Sequence, residues 1–270
     1  MNAAAARHGR TENGRTEHGR TEHGRTERRA QAVIFDFSGT LFDDTSVIRA
    51  ERLVAHCALR GREVDVARAQ ELCTGILAAV DSPEGRVRRA DADLSADRHR
   101  RVWTGLAASA AGGDTLIAEA FYDCVIAADG WRPYPDTAPV LSALYEAGIA
   151  TTVLSNTGWD IRGSFHRSAL AGLVTDFVLS CEVGIQKPDA TIFRAACERL
   201  GVRPGDALMV GDDAVRDGAA AAAGIAAYIL PADRSPDRPR GLAAVLDLLG
   251  IAPPGGSAQE HVRAQAQAQT

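Results

Sequence analysis

Lysine is almost missing from this chain. Of 30 basic residues, 29 are arginine and one is Lys187. Arginine and lysine differ in shape and hydration, so the one position that keeps an ammonium is either retained by chance or needs a compact charge. Basic charge is not in excess either. The net charge is -5 at pH 7, which leaves no positive field for nucleic acid. Long apolar runs are lacking. The longest uncharged stretch, 218–232, is mostly Ala with Gly218 and Gly224, too short and too weakly apolar to span a bilayer. The N-terminus has no apolar h-region, so no secretory signal and no membrane partner are expected, and a cytoplasmic location is. Cysteines are few and unpaired in pattern. Cys57, Cys73, Cys124, Cys181 and Cys197 are odd in number and never closer than 16 residues. That spacing fits neither a zinc knuckle nor a disulfide framework, and predicts reduced, mostly buried thiols.

What is present fits a globular fold. The 270 residues are 46% apolar and 24% charged, enough for one substantial core with an elaboration or for two small domains. The N-terminal segment repeats Arg-Thr-Glu-His-Gly, with almost nothing apolar to bury. Residues 1–30 are therefore expected to be a disordered tail, as are the polar residues 251–270.

The chain is organised around Val33-Ile34-Phe35-Asp36-Phe37-Ser38-Gly39-Thr40-Leu41. A short apolar run closed by a Gly turn predicts a buried strand, over 32–37. Asp36 then either caps a turn or stands at the ligand-binding edge of a parallel sheet. From Asp43 the period becomes helical, with Thr45 as a candidate N-cap and Gly61 as the stop. Further helices are expected near 65–80, 97–111 and 114–128, broken by Ser82-Pro83-Glu84-Gly85 and Gly112-Gly113. Residues 44–130 thus read as an all-helical insert.

After the stiff return Trp131-Arg132-Pro133-Tyr134-Pro135, strands and helices alternate. A helix capped by Asp136 runs to Gly148. Strand 149–154 leads into Ser155-Asn156, and a helix covers 160–171. Strand 177–179 leads towards Lys187, and a helix capped by Asp189 ends at Gly201. Strand 207–210 ends in Gly211-Asp212-Asp213, followed by an Ala-rich helix over 214–223, strand 226–230 and a helix over 242–249. Such alternation predicts an α/β fold with a doubly wound parallel sheet, formed by 31–43 and 131–250 and carrying the helical insert.

Four polar clusters then fall at C-terminal strand ends: Asp36, Ser155-Asn156, Lys187, and Asp212 with Asp217. Such ends converge on one crevice. Carboxylates plus a carbonyl make a hard oxygen site suited to Mg²⁺. A hydroxyl, nearby backbone N–H groups and a lone ammonium suit a phosphoryl group, with Asp36 as nucleophile.

This constellation resembles the haloacid dehalogenase (HAD) superfamily over about residues 32–230, outside the insert. Asp36-Phe37-Ser38-Gly39-Thr40 stands in place of that family's Asp-x-Asp-x-Thr. Ser155-Asn156, Lys187-Pro188, and Gly211-Asp212 with Asp217 match its three later motifs. The insert's position is similar to the helical cap of the phosphoglycolate phosphatase-like branch.

The resemblance implies a Rossmann-like core, a cap over 44–130, and hydrolysis of a small phosphorylated metabolite. It implies Asp36 and Lys187 as catalytic residues, and Thr40, Ser155, Asn156 and Lys187 on the phosphate. It also implies Mg²⁺ on Asp36, the Ser38 backbone carbonyl, Asp212 and Asp217; no oligomeric partner is named. Asp43 and Asp189 are expected to cap helices. His166 is expected on a surface or packing face, and the clusters Arg86–Arg89 and Arg98–Arg101 either on a solvated helix face or reaching an anionic substrate.

Ser38 is the departure. Phosphatases of the family carry a second Asp there, which protonates the leaving group and then activates water. Losing such a group costs on the order of 10²–10⁴-fold. Dehalogenases carry Tyr at this place but lack the carboxylates after Gly211. Phosphonoacetaldehyde hydrolases carry Ala and need a cap lysine, which the insert does not have. P-type ATPases carry Thr and hold a long-lived aspartyl-phosphate. A slow phosphohydrolase is the reading; one served by a substitute acid (Asp43 or a cap residue), an impaired member that only binds phosphorylated ligand, and a phosphotransferase are the alternatives.

Overall fold

The computed structural model describes residues 30–252. The Arg-Thr-Glu repeat and nearly all of the C-terminal tail lie outside the described residues. The strands are β1 (Ala32–Phe35), β2 (Phe42–Asp43), β3 (Arg132–Pro133), β4 (Ala150–Ser155), β5 (Asp176–Leu179), β6 (Ala207–Gly211) and β7 (Ala226–Ile229). The helices are α1 (Ala50–Leu59), α2 (Val66–Asp81), α3 (Pro83–Arg89), α4 (Ala96–Ala110), α5 (Thr115–Ile126), α6 (Thr137–Glu146), α7 (Arg162–Arg167), α8 (Ser180–Val183), α9 (Ala190–Leu200) and α10 (Ala243–Leu249).

Five strands form one parallel sheet in the order β5-β4-β1-β6-β7, with β1 at its centre. Central position explains why β1 is apolar at every residue: both of its faces are covered. Val33 and Phe35 pack with Leu141 and Leu144 of α6 and with Val245 and Leu246 of α10. Ile34 points the other way, onto Ile192, Phe193 and Ala196 of α9. The doubly wound α/β class expected from alternation is the class observed.

A separate apolar cluster draws all its buried members from residues 50–125, among them Leu53, Ile76, Leu106 and Phe121. Helices α1, α2, α4 and α5 bury their apolar stripes on one another there. At the root of this insert, β2 pairs antiparallel with β3, Phe42 opposite Pro133 and Asp43 opposite Arg132. The extended return at 131–135 therefore has a partner strand that the sequence pattern did not reveal.

Local expectations change where side chains find stronger partners. Thr45 caps no helix, because α1 begins only at Ala50; its N–H and hydroxyl both donate to Asp43. Asp43 also accepts from the Ser46 N–H, so it closes a turn rather than capping α1. The break at 82–85 is a helix start: the Ser82 hydroxyl accepts from the Gly85 N–H, and Pro83 takes the first helical position. The expected helix over 160–171 is only α7 plus a short 3₁₀ turn, Ala171–Leu173. The Ala-rich stretch forms a 3₁₀ helix, Gly218–Ala223, not an α-helix from 214.

Asp136 does not cap α6 with its side chain. Its carboxylate accepts from the N–H groups of Arg240, Gly241 and Leu242, about a hundred residues away. Asp65, Asp114 and Asp189 do cap their helices. All five cysteines are free, and four are buried.

Candidate active site

Strand β1 ends at Phe35, two residues before the expected boundary. Asp36 stays tethered to the sheet, because its N–H donates to the Val210 carbonyl at 2.9 Å. Its carboxylate is held on both oxygens. The Lys187 ammonium donates to Oδ1 at 2.6 Å, and the Thr40 hydroxyl donates to Oδ2 at 3.3 Å. Thr40 is fully buried and touches the Asp36 carboxylate.

Lys187 is 3% exposed and also donates to Asp217 Oδ1 at 2.7 Å. Burial works against its charge, but the Asp36 and Asp217 carboxylates outweigh it and hold the ammonium above its ordinary pKa. Burial pushes the Asp36 carboxyl up; Lys187 pulls it back and Asp217 pushes it further up. Asn156 clamps the backbone of Lys187: its Nδ2 donates to the Lys187 carbonyl at 2.9 Å, and its Oδ1 accepts from the Lys187 N–H at 2.8 Å. Asn156 thus positions the lysine that lies 31 residues further on. Ser155, 3% exposed, ends β4 and lines the same cavity.

Asp217 is anchored by the backbone. Its Oδ2 accepts from the N–H groups of Asp212 and Asp213, both at 3.0 Å. A β-carbon on Gly211 would overlap the Asp217 side chain, which is the physical reason for a glycine at the end of β6. Asp36, Asp212 and Asp217 offer oxygens that all lie within 4.8 Å of one another. Asp212 Oδ2 is buried and lacks a hydrogen bond; Arg234 Nη2 stands 2.5 Å away as an ion-pair partner without hydrogen-bond alignment. Three hard oxygen donors converging at this spacing, one of them unsatisfied, fit a small divalent cation.

Ser38 directs its hydroxyl to Asp44 Oδ2 at 3.2 Å, and Arg234 Nη1 donates to the same oxygen at 3.0 Å. Asp44 Oδ1 is buried with no hydrogen-bond partner. Asp43, named from sequence as a substitute acid, is committed to its turn. The carboxylate beside Ser38 is Asp44.

These groups open into a cavity of about 350 Å³ between the sheet edge and the helical insert. Sequence reading missed much of its far wall. All three tryptophans of the chain, Trp103, Trp131 and Trp159, line it. So does His99, which sits inside the arginine cluster read as solvated. Arg98, Arg100 and Arg101 are indeed exposed, yet His99 is 1% exposed. The signal was there: His99, Trp103, Leu106 and Ala107 share one helical face. Of Arg86–Arg89, only Arg89 reaches the cavity. His166 is exposed.

A parallel sheet that delivers three carboxylates and an ammonium to one cavity at its strand ends has the layout of an α/β enzyme. The chain belongs to the haloacid dehalogenase-like hydrolases, whose family model matches residues 30–224.

Among curated relatives it is 36% identical over 92 residues to (S)-2-haloacid dehalogenase 1 of Pseudomonas sp., covering 34% of this chain and 40% of that protein. It is 37% identical over 92 residues to the glyceraldehyde 3-phosphate phosphatase of Methanopyrus kandleri, covering 32% and 37%. The chain thus spans about two fifths of the length of these relatives. A HAD-hydrolase of Bacillus subtilis, solved bound to magnesium, superposes with a TM-score of 0.63 at 16% identity, covering 83% of this chain and 100% of that one. That likeness concerns the fold.

Proposed function

We propose that the chain is a Mg²⁺-dependent phosphohydrolase that cleaves a small phosphorylated metabolite through an aspartyl-phosphate on Asp36. The observation that carries this reading is the carboxylate set. Asp212 and Asp217 stand with Asp36 inside a 4.8 Å cluster, and dehalogenases of the family lack those two groups. The phosphatase among the relatives supports the same direction. Residues 44–130 act as the cap, closing the cavity against water.

An oxygen of Asp36 attacks phosphorus, and the bond to the leaving oxygen breaks with its electron pair on that oxygen. Lys187, a buried cation on Asp36, offsets the charge that repels attack. Ser155 and the backbone N–H groups after it receive the phosphoryl oxygens, and Thr40 and Asn156 hold Asp36 and Lys187 in place. When bound, Mg²⁺ on Asp36, Asp212, Asp217 and the Ser38 carbonyl supplies further neutralisation of phosphoryl charge. Water then attacks the phosphorus, releasing phosphate and restoring Asp36.

Ser38 cannot donate the leaving-group proton near neutral pH. Asp44 is the carboxyl group beside Ser38, and in its protonated form it would supply that proton. Ser38 also supports a second reading, a member that binds phosphorylated ligand without turnover.

The test is phosphate release from small phosphate esters and acyl phosphates, with Mg²⁺ or with EDTA, beside Asp36→Asn. Release by wild type alone, abolished by EDTA, is the expected result. Ligand-dependent thermal stabilisation without release supports the binder. Halide release from 2-chloropropionate without phosphate release overturns both.

A further inference from the structure

The cavity wall opposite Asp36 carries a continuous run of rings. Phe37, next to the nucleophile, lies 4.8 Å from Trp131 between ring centroids. Trp131 lies 5.7 Å from Trp159, Trp159 lies 5.2 Å from His99, and His99 lies 5.4 Å from Trp103. The first three of these rings belong to the sheet side and the last two to α4. Contact between the sides is close, since a β-carbon on Gly158 would overlap the His99 ring. Aromatic residues are 5% of the chain, so all three tryptophans on one wall represent a concentrated use of a scarce side chain.

His99 adds a directed polar group. Its Nδ1 lies 3.0 Å from the Tyr122 hydroxyl. Its Nε2 is buried without a hydrogen bond; Asp93 Oδ1, 3.6 Å away, is beyond hydrogen-bond length. Burial, with Arg89 adding to it, drives the imidazole pKa down to about 4, so the ring is neutral. Burial drives the Tyr122 phenol up to about 12, so it keeps its proton. Among the described residues the phenol has no other hydrogen-bond acceptor, so it donates to Nδ1, which leaves the ring proton on Nε2. A carboxylate nearby favours that tautomer as well. The result is a buried donor that lines the cavity and lacks an acceptor, a group costly to leave unmatched.

Charge narrows the ligand further. Each cation lining the cavity already faces a carboxylate within 3.8 Å: Arg89 with Asp81, Lys187 with Asp36 and Asp217, Arg216 with Asp213, and Arg234 with Asp212 and Asp44. Charge matching of this kind favours an uncharged body beyond the phosphoryl group.

We propose that the cavity takes, beyond the phosphoryl group, an uncharged flat aromatic ring lying against Trp103, Trp131 and Trp159, with a hydrogen-bond acceptor on the ring meeting His99 Nε2. The substrate class is an aromatic phosphate ester or anhydride with a single anionic group. This rests on the phosphohydrolase reading and adds the identity of the leaving portion. Indole surfaces favour such a ring over a polyol of similar size by stacking and by apolar burial.

The experiment is calorimetric titration of the full-length Asp36→Asn variant with Mg²⁺, using benzyl phosphate, 4-methoxybenzyl phosphate, glycerol 3-phosphate and inorganic phosphate. The expected order places benzyl phosphate about tenfold tighter than glycerol 3-phosphate, with the methoxy compound tighter still. Adding Trp103→Leu is expected to erase the aromatic preference and leave inorganic phosphate affinity within about twofold, while Trp103→Phe retains the preference. Equal affinity for benzyl and glycerol phosphates overturns the ring assignment and leaves the phosphohydrolase reading standing. An aromatic preference that survives Trp103→Leu overturns the placement. Failure of all four ligands to bind the variant, together with failure of inorganic phosphate to bind the wild type with Mg²⁺, overturns both readings.

Discussion

Ser38 concentrates the chemistry of this protein in one side chain. Its hydroxyl and Arg234 share one oxygen of Asp44, whose other oxygen is buried and unmatched. Replacing Ser38 by Asp restores a positioned acid, and Ser38→Asp is expected to raise kcat on alkyl phosphates by about 10²-fold. Asp44→Asn in the wild-type background is expected to slow alkyl phosphates more than acyl phosphates, whose leaving group needs no proton. Steady-state kinetics on both substrate types checks the pair; no gain from Ser38→Asp would sink the account of the missing acid.

His99 gives the second prediction at this scale. Its folded pKa, about 4, lies below the ordinary 6.5, so the unfolded chain binds the proton first as pH falls. Stability then rises with pH between about 4 and 6.5 and is lost on acidification through that window, by about 3 kcal/mol. The raised Asp36 carboxyl acts in the opposite sense, so the quantity to measure is wild type minus His99→Gln in urea unfolding at pH 4.5 and 7. A difference that does not change with pH would contradict the neutral, buried imidazole.

Among the elements, the loop before α10 is tied to the start of α6 by Asp136 and to the turn after Asp36 by Arg240. Asp136 accepts from three successive N–H groups at 240–242, while Arg240 Nε donates to the Gly39 carbonyl at 2.6 Å. Arg240 is 2% exposed, and its Nη1 donates to the Pro231 carbonyl at 2.5 Å. Asp136→Ala strands buried backbone donors and is expected to cost roughly 2–3 kcal/mol. Chemical denaturation should report that loss, and a change under 0.5 kcal/mol, the ordinary size for a surface site, would mean the three bonds carry no weight. The sequence pointed to Asp136 as a helix cap because an Asp before an apolar run is the usual cap signal. Its real partners lie about a hundred residues on, where no local pattern reaches. For the same reason Asp114 and Asp189 were legible: their partners are two or three residues away.

Over the whole molecule, a parallel sheet places four short segments, far apart in the chain, on one edge, and an insert of five helices roofs that edge. Among the described residues, no helix is long and apolar enough to cross a membrane. The alternation of elements, the all-apolar β1 and the Asp36, Ser155, Lys187 and Asp212–Asp217 clusters could be read directly from the chain. Each depends on periodicity or on a residue's place at the end of its own strand. They determined the fold class and marked out the carboxylates that the structure gathers, Asp36, Asp212 and Asp217, and the lone lysine marked itself. Tertiary structure alone decided which carboxylate accompanies Ser38, that Asn156 holds the backbone of Lys187, and that Trp103, Trp131, Trp159 and His99 meet on one wall. The first two depend on which strand-end loops meet, and the third on how the helical insert packs against the sheet edge. The packing is fixed by contacts such as His99 on Gly158 and the Ser180 hydroxyl on the Asp93 carbonyl, which join residues too distant in sequence for any local pattern to announce.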